Sequence, residues 1–68
     1  MDDRIFIATM EVIVSAMKEK GYDPYNQLIG YLTEDQPIYI TSHNGARDLI
    51  KQLDKQKIRE YADKMLKR

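Results

Sequence analysis

The chain has 68 residues, no cysteine, one histidine, and 11 basic against 11 acidic side chains, so its formal net charge is zero. Disulfides and thiolate metal sites are excluded together, a single imidazole cannot form a histidine cluster, and the neutral total argues against a dedicated nucleic-acid binder. A chain this short buries only roughly 60% of the surface its unfolded form exposes. Further burial is expected from elsewhere, and with disulfides and metals removed a homodimer is the expected source.

The charge is unevenly spread. Residues 1–46 hold Arg4, Lys18 and Lys20 against seven acids, a balance of −4, while residues 47–68 hold eight cations against four acids, a balance of +4. Such asymmetry marks either an acidic or nucleic-acid partner or a solvated basic helix. The N-terminal stretch Ile5 to Met17 has the apolar character of a signal-peptide core. Glu11 interrupts it, however, Asp2 and Asp3 make its leading end acidic, and Lys18-Glu19-Lys20 follows directly. It is also too short to span a bilayer. No membrane segment is expected, and the expected location is the cytoplasm.

A first helix is expected over about residues 3–20, capped by Asp2 or Asp3 and ended by Gly21. Phe6, Met10, Ile13 and Met17 form one stripe at helical spacing. Ile5, Ile7, Val12, Val14 and Ala16 widen the apolar arc beyond it, and this excess points to burial against a second subunit. Asp23-Pro24 reads as a helix start, with Asp as N-cap and Pro where its missing N–H costs nothing. A second helix over about 24–32 follows, buried through Leu28, Ile29 and Leu32.

Residues 33–37 read as a turn. Ile38-Tyr39-Ile40-Thr41 has the content of a short strand with no partner in the chain. Pairing with its own copy across a two-fold axis is the expected solution. Ser42 or Asn44 is placed to cap a third helix over about 45–52. Asp54 is placed to cap a fourth over about 55–67, unless the two run together. The expected fold is thus mainly α, a small bundle of three to four helices forming a single domain over 1–68 and pairing as a homodimer. A short strand at 38–41 crosses the dimer, and Phe6, Met10, Ile13, Ile38 and Ile40 are its expected interface.

His43 is the only candidate general base, in the run Thr41-Ser42-His43-Asn44. A nucleophile and base must converge in space, and this loop contains no acid. A loop or capping imidazole, or a partner contact, is the simpler reading. Glu34-Asp35 is too short for a calcium loop, and Gly21, Gly30 and Gly45 match no phosphate-cradling spacing. No catalysis, metal or cofactor is expected.

Nucleic-acid binding is the serious rival. Arg47, Lys51, Lys55, Lys57, Arg59, Lys64, Lys67 and Arg68 offer a basic surface, with Tyr39 or Tyr61 available to stack. Acids interrupt that set. Tyr22, Tyr25, Tyr31 and Tyr39 flank turns, where a ring packs while its hydroxyl finds a backbone partner. An interface hot-spot cluster is the alternative. Gly30 inside a helix costs roughly 1 kcal/mol relative to Ala. With Asn26 and Gln27 one turn earlier, it suggests a close backbone approach and amide hydrogen bonding.

GYDPYNQLIGYL, then DQPIYITSH, then Ala46-Arg47 with Ile50 three residues on, resembles the IreB/ReoM family of small regulators from Gram-positive bacteria. The resemblance covers about residues 10–68, with its specific part at 21–50. It implies a mostly helical, non-enzymatic homodimer that acts as an adaptor in cell-envelope control. It further implies contact with a membrane Ser/Thr kinase, and an influence on Clp-protease turnover of an early peptidoglycan-synthesis enzyme.

Carried over position by position, His43 and Arg47 match the family pattern and are the expected partner contacts, with Tyr39 and Lys51 beside them. The family's phosphorylated Thr lies in a tail ahead of the first helix. Here Thr9 is the only N-terminal Thr and falls inside that helix, so phospho-regulation of that kind is not expected of these residues. Gln36 stands where Asp is usual, and Lys55, Lys57 and Lys64 lie in a final helix that is usually more acidic.

Overall fold

The computed structural model describes residues 3–67. Four helices form: α1 (Asp3–Glu19), α2 (Pro24–Glu34), α3 (Ala46–Ile50) and α4 (Lys55–Tyr61). Short 3-10 turns cover Pro37–Tyr39 and His43–Gly45, and α4 runs on into a π turn over Ala62–Leu66. The mainly helical expectation holds.

Three helix ends have a clear local cause. Gly21, at φ 80°, closes α1: its N–H donates to the Lys18 carbonyl at 3.0 Å and the Tyr22 N–H to that of Met17 at 2.9 Å. This paired pattern requires a left-handed residue, which glycine adopts without a Cβ penalty. Asp23 starts α2 by accepting from the N–H groups of Tyr25 and Asn26 at 2.9 and 3.3 Å. Asp54 does the same for α4, accepting from Gln56 and Lys57 at 2.7 and 3.3 Å. Its extended backbone, φ −68° and ψ 126°, separates α3 from α4, which are therefore distinct helices. Neither Ser42 nor Asn44 caps α3, whose N-cap is Gly45 with no side-chain bond.

The core is filled from every element. Met10, Ile13, Ala16 and Met17 of α1 meet Leu28 and Tyr31 of α2, Ile40, Ala46 and Ile50, and Ile58 and Ala62 from the last segment. Fully burying one large apolar side chain contributes about 1.5–3 kcal/mol, and seven such side chains here have no exposed surface. No polar or charged side chain is buried among the described residues. Phe6 packs edge-on against Tyr61, ring centroids 6.1 Å apart at 77°, and ties the start of α1 to the end of α4.

Two expectations are corrected. Residues 38–41 form no strand: Pro37–Tyr39 is a 3-10 turn in which Tyr39 and Ile40 donate back to Gln36 and Pro37 at 3.2 and 2.9 Å. Their N–H groups are spent within the turn and are not offered to a second copy. Met10, Ile13 and Ile40, expected at a dimer interface, lie wholly inside the protomer core, so they present nothing to a partner. Phe6 is half-buried and Ile38 is 72% exposed.

Candidate partner-binding corner

Four parts of the chain meet around residues 36–47: the end of α1, the first turns of α2, the loop after α2, and α3. Asp35, left-handed at φ 56°, closes α2 by donating its N–H to the Tyr31 carbonyl at 2.8 Å. The chain then turns back across α2. Tyr39 lays its ring against Gly30, so close that a Cβ built on residue 30 would stand 3.2 Å from Cδ1 of Tyr39. The close approach expected at Gly30 is therefore made by this chain's own tyrosine.

Three further contacts hold the loop. Gln27 Oε1 accepts from the Thr41 N–H at 3.2 Å, the amide bond anticipated for this helix start. Arg47 Nε donates to the Ile40 carbonyl at 2.9 Å, while the Ile40 side chain is sunk in the core. Thr41 Oγ1 accepts from the His43 N–H at 3.2 Å. Asn44 and Gly45 then follow at φ 54° and 73°, a left-handed pair at which Asn and Gly are the least strained residues.

His43 reaches back to α1, its Nε2 lying 3.0 Å from Glu19 Oε1. An ionised carboxylate only accepts, so Nε2 carries the proton of this bond and Nδ1 is the imidazole's second position. With side-chain exposures of 28% and 58%, the pair is accessible to solvent and to a partner.

The expected partner set is not one cluster. His43, Arg47 and Tyr39 frame the same loop. Lys51 instead turns to Asp48, 3.8 Å away on its own helix side. Glu19 and Gln27 belong to the corner and were not anticipated as its members. Glu19 lies 24 residues from His43, too far for any local pattern to pair them. The basic surface of the nucleic-acid reading is partly neutralised: Lys55 pairs with Asp35 and stands over the Tyr31 ring, 5.6 Å from its centroid, and Lys57 lies 3.3 Å from Asp3.

Elsewhere, Phe6, Ile7, Tyr61 and Met65 line a shallow groove of about 230 Å³ between α1 and the last segment. Among the described residues no group of His, Asp and Glu is spaced to hold a metal ion, and no helix is long and apolar enough to cross a membrane. The loop held by Gly30, Gln27 and Arg47 lies within Gly21 to Ile50, the part of the chain that carries the family resemblance. Residues 2–67 match the family model described as IreB regulatory phosphoprotein, and the chain belongs to that family.

Proposed function

We propose that this protein is a non-enzymatic adaptor of the cytoplasm that works through protein–protein contacts at the Glu19–His43–Arg47 corner. The observation that carries this reading is the bracing of the loop by Gly30, Gln27 and Arg47. A surface fixed before its partner arrives loses less freedom on binding. Arg47 uses Nε on Ile40, and its remaining N–H donors suit a bidentate bond to a partner carboxylate. Family membership as a regulatory phosphoprotein, with the resemblance of the 21–50 segment, supports a place in cell-envelope stress control. The partners in that reading are the Clp machinery or its peptidoglycan-synthesis target, and a Ser/Thr kinase.

Arg47→Glu tests it. Pull-down of the Clp machinery and a degradation assay on the target enzyme should both lose most of their signal. Unchanged binding and turnover would overturn the proposal.

The same reading includes a homodimer. Ile5 and Val12, seven residues apart on one side of α1 and 70% and 49% exposed, are apolar side chains that the protomer leaves uncovered. Light scattering should give twice the chain mass for the native protein and one chain mass for Ile5→Asp/Val12→Asp. A monomeric native protein would remove this part of the reading.

A further inference from the structure

We infer that Asn44 is a site of self-modification held in check by the His43–Glu19 contact. Its side-chain amide is lost through a ring closed on the Gly45 backbone nitrogen, and the isoaspartate that results releases His43 from Glu19. The inference is independent of the proposed function, because the chemistry needs neither a partner nor an enzyme.

The chain has two asparagines, and only Asn44 is followed by glycine. A residue without a Cβ lets its nitrogen swing toward the preceding side chain with little steric resistance. Asn44 and Gly45 are both exposed, so water reaches the amide and ammonia leaves freely. Asn26 is held at both ends. Its Nδ2 lies 3.4 Å from Asp23 Oδ2, and the nitrogen that would attack it, that of Gln27, donates to the Asp23 carbonyl at 3.1 Å. Gln36 precedes Pro37, which has no N–H to give up.

The step balances with water alone. Gly45 N gives its proton to solvent and bonds to Asn44 Cγ, the Cγ–Nδ2 bond breaks, and Nδ2 takes up a proton and leaves as ammonia. Water then opens the succinimide. Cleavage between Cγ and Gly45 N gives aspartate. Cleavage between the Asn44 carbonyl carbon and that nitrogen gives isoaspartate, with the main chain running through Cγ. Either product places a new carboxylate next to His43, and isoaspartate also lengthens the backbone by one methylene.

The fold sets the rate. Asn44 lies at φ 54° and ψ 28°. Its turn is closed by the Gly45 N–H donating to the Ser42 carbonyl at 3.2 Å and the Ala46 N–H to that of His43. Ring closure needs ψ of Asn44 rotated and these bonds broken. The turn is pinned on one side by His43 Nε2, 3.0 Å from Glu19 Oε1, and on the other by Ala46, which has no exposed surface. The reactive form is therefore a locally opened one, whose population those contacts hold down. The longer isoaspartyl backbone no longer fits the two turn bonds, so the imidazole leaves Glu19.

Tandem mass spectrometry of the full chain aged in mildly alkaline buffer should find amide converted to acid at Asn44, ahead of Asn26 and every glutamine. An isoaspartyl methyltransferase should label the aged native chain and not aged Asn44→Gln. Glu19→Ala removes one solvent-exposed pair, so it should convert about two- to fivefold faster than the native chain. A free peptide of residues 41–47 should be faster than either. A nuclear Overhauser contact between the His43 ring and Glu19 should be present in the native chain and in Asn44→Asp, which carries the charge without the added methylene, and absent from the purified isoaspartyl form. Three results overturn the inference: an intact Asn44 when the peptide has fully converted, equal rates in the native chain and Glu19→Ala, or a His43–Glu19 contact that survives in the isoaspartyl form.

Discussion

Tyr39 and Gly30 are in contact across the α2 surface: the first β-carbon a larger residue would place at 30 falls 3.2 Å from Cδ1 and 3.4 Å from Cγ of the ring. Glycine is unfavourable in the interior of α2, and the ring explains its presence. Gly30→Ala gains about 1 kcal/mol of helix propensity but forces the near end of the Tyr39 side chain to move. The two effects are expected to offset, leaving Gly30→Ala within about 0.5 kcal/mol of the native protein. In a Tyr39→Ala background the obstacle is gone, and the same change should stabilise by about 1 kcal/mol. Urea unfolding of the four proteins of this cycle measures the coupling, and a coupling of zero would mean the ring does not rest on residue 30.

The caps of α2 and α4 predict a second series. Asp23 and Asp54 each accept two backbone N–H groups through Oδ1, so Asp→Ala at either site should cost about 1 kcal/mol and Asp→Asn much less. The sites share no hydrogen-bond partner, so the double variant should lose close to the sum. Thermal unfolding monitored by circular dichroism reads this directly, and equal losses for Ala and Asn would sink the capping account.

Those caps were legible because their causes lie within three residues of the helix start. The Met10, Ile13 and Met17 stripe was legible for the same reason, since helical spacing alone puts these residues on one face. Ile38 to Thr41 misled because β-branched and aromatic residues signal a strand only if a second strand receives their N–H groups. Here the N–H groups of Tyr39, Ile40 and Thr41 donate to Gln36, Pro37 and Gln27 within the chain, and Tyr39 is drawn onto Gly30. The Glu19–His43 pair was invisible for a different reason: it joins α1 to a loop 24 residues on, and only the packed fold brings those ends together.

Tyr61 predicts the alkaline limb of stability. Burial against Phe6 and the core raises its phenol above the ordinary value near 10, and the Glu11 carboxylate adds to the rise. A group whose folded-state pKa is raised holds its proton more tightly when folded. Its contribution is therefore complete below pH 10 and is lost as pH climbs from there through the folded value. Unfolding free energy measured from pH 8 to 12 should fall above about pH 10, and Tyr61→Phe should flatten part of that fall. An unaltered slope in Tyr61→Phe would assign the alkaline loss to other groups.

Ile38 and Ile40 give the sharpest test of the loop, because a cross-dimer strand and a 3-10 turn make opposite demands on them. Successive residues of a pairing strand point to opposite faces, so 38 and 40 would share one face and behave alike. In the turn they do not: Ile40 has no exposed surface while Ile38 is 72% exposed. Ile40→Ala should therefore cost about 2–5 kcal/mol through the cavity it leaves in the core. Ile38→Ala should stay within about 0.5 kcal/mol. Urea midpoints at two protein concentrations separate protomer stability from association, since a loss that grows on dilution belongs to an interface. Ile40 should show a concentration-independent loss. Equal losses at both positions, growing on dilution, would restore the pairing strand.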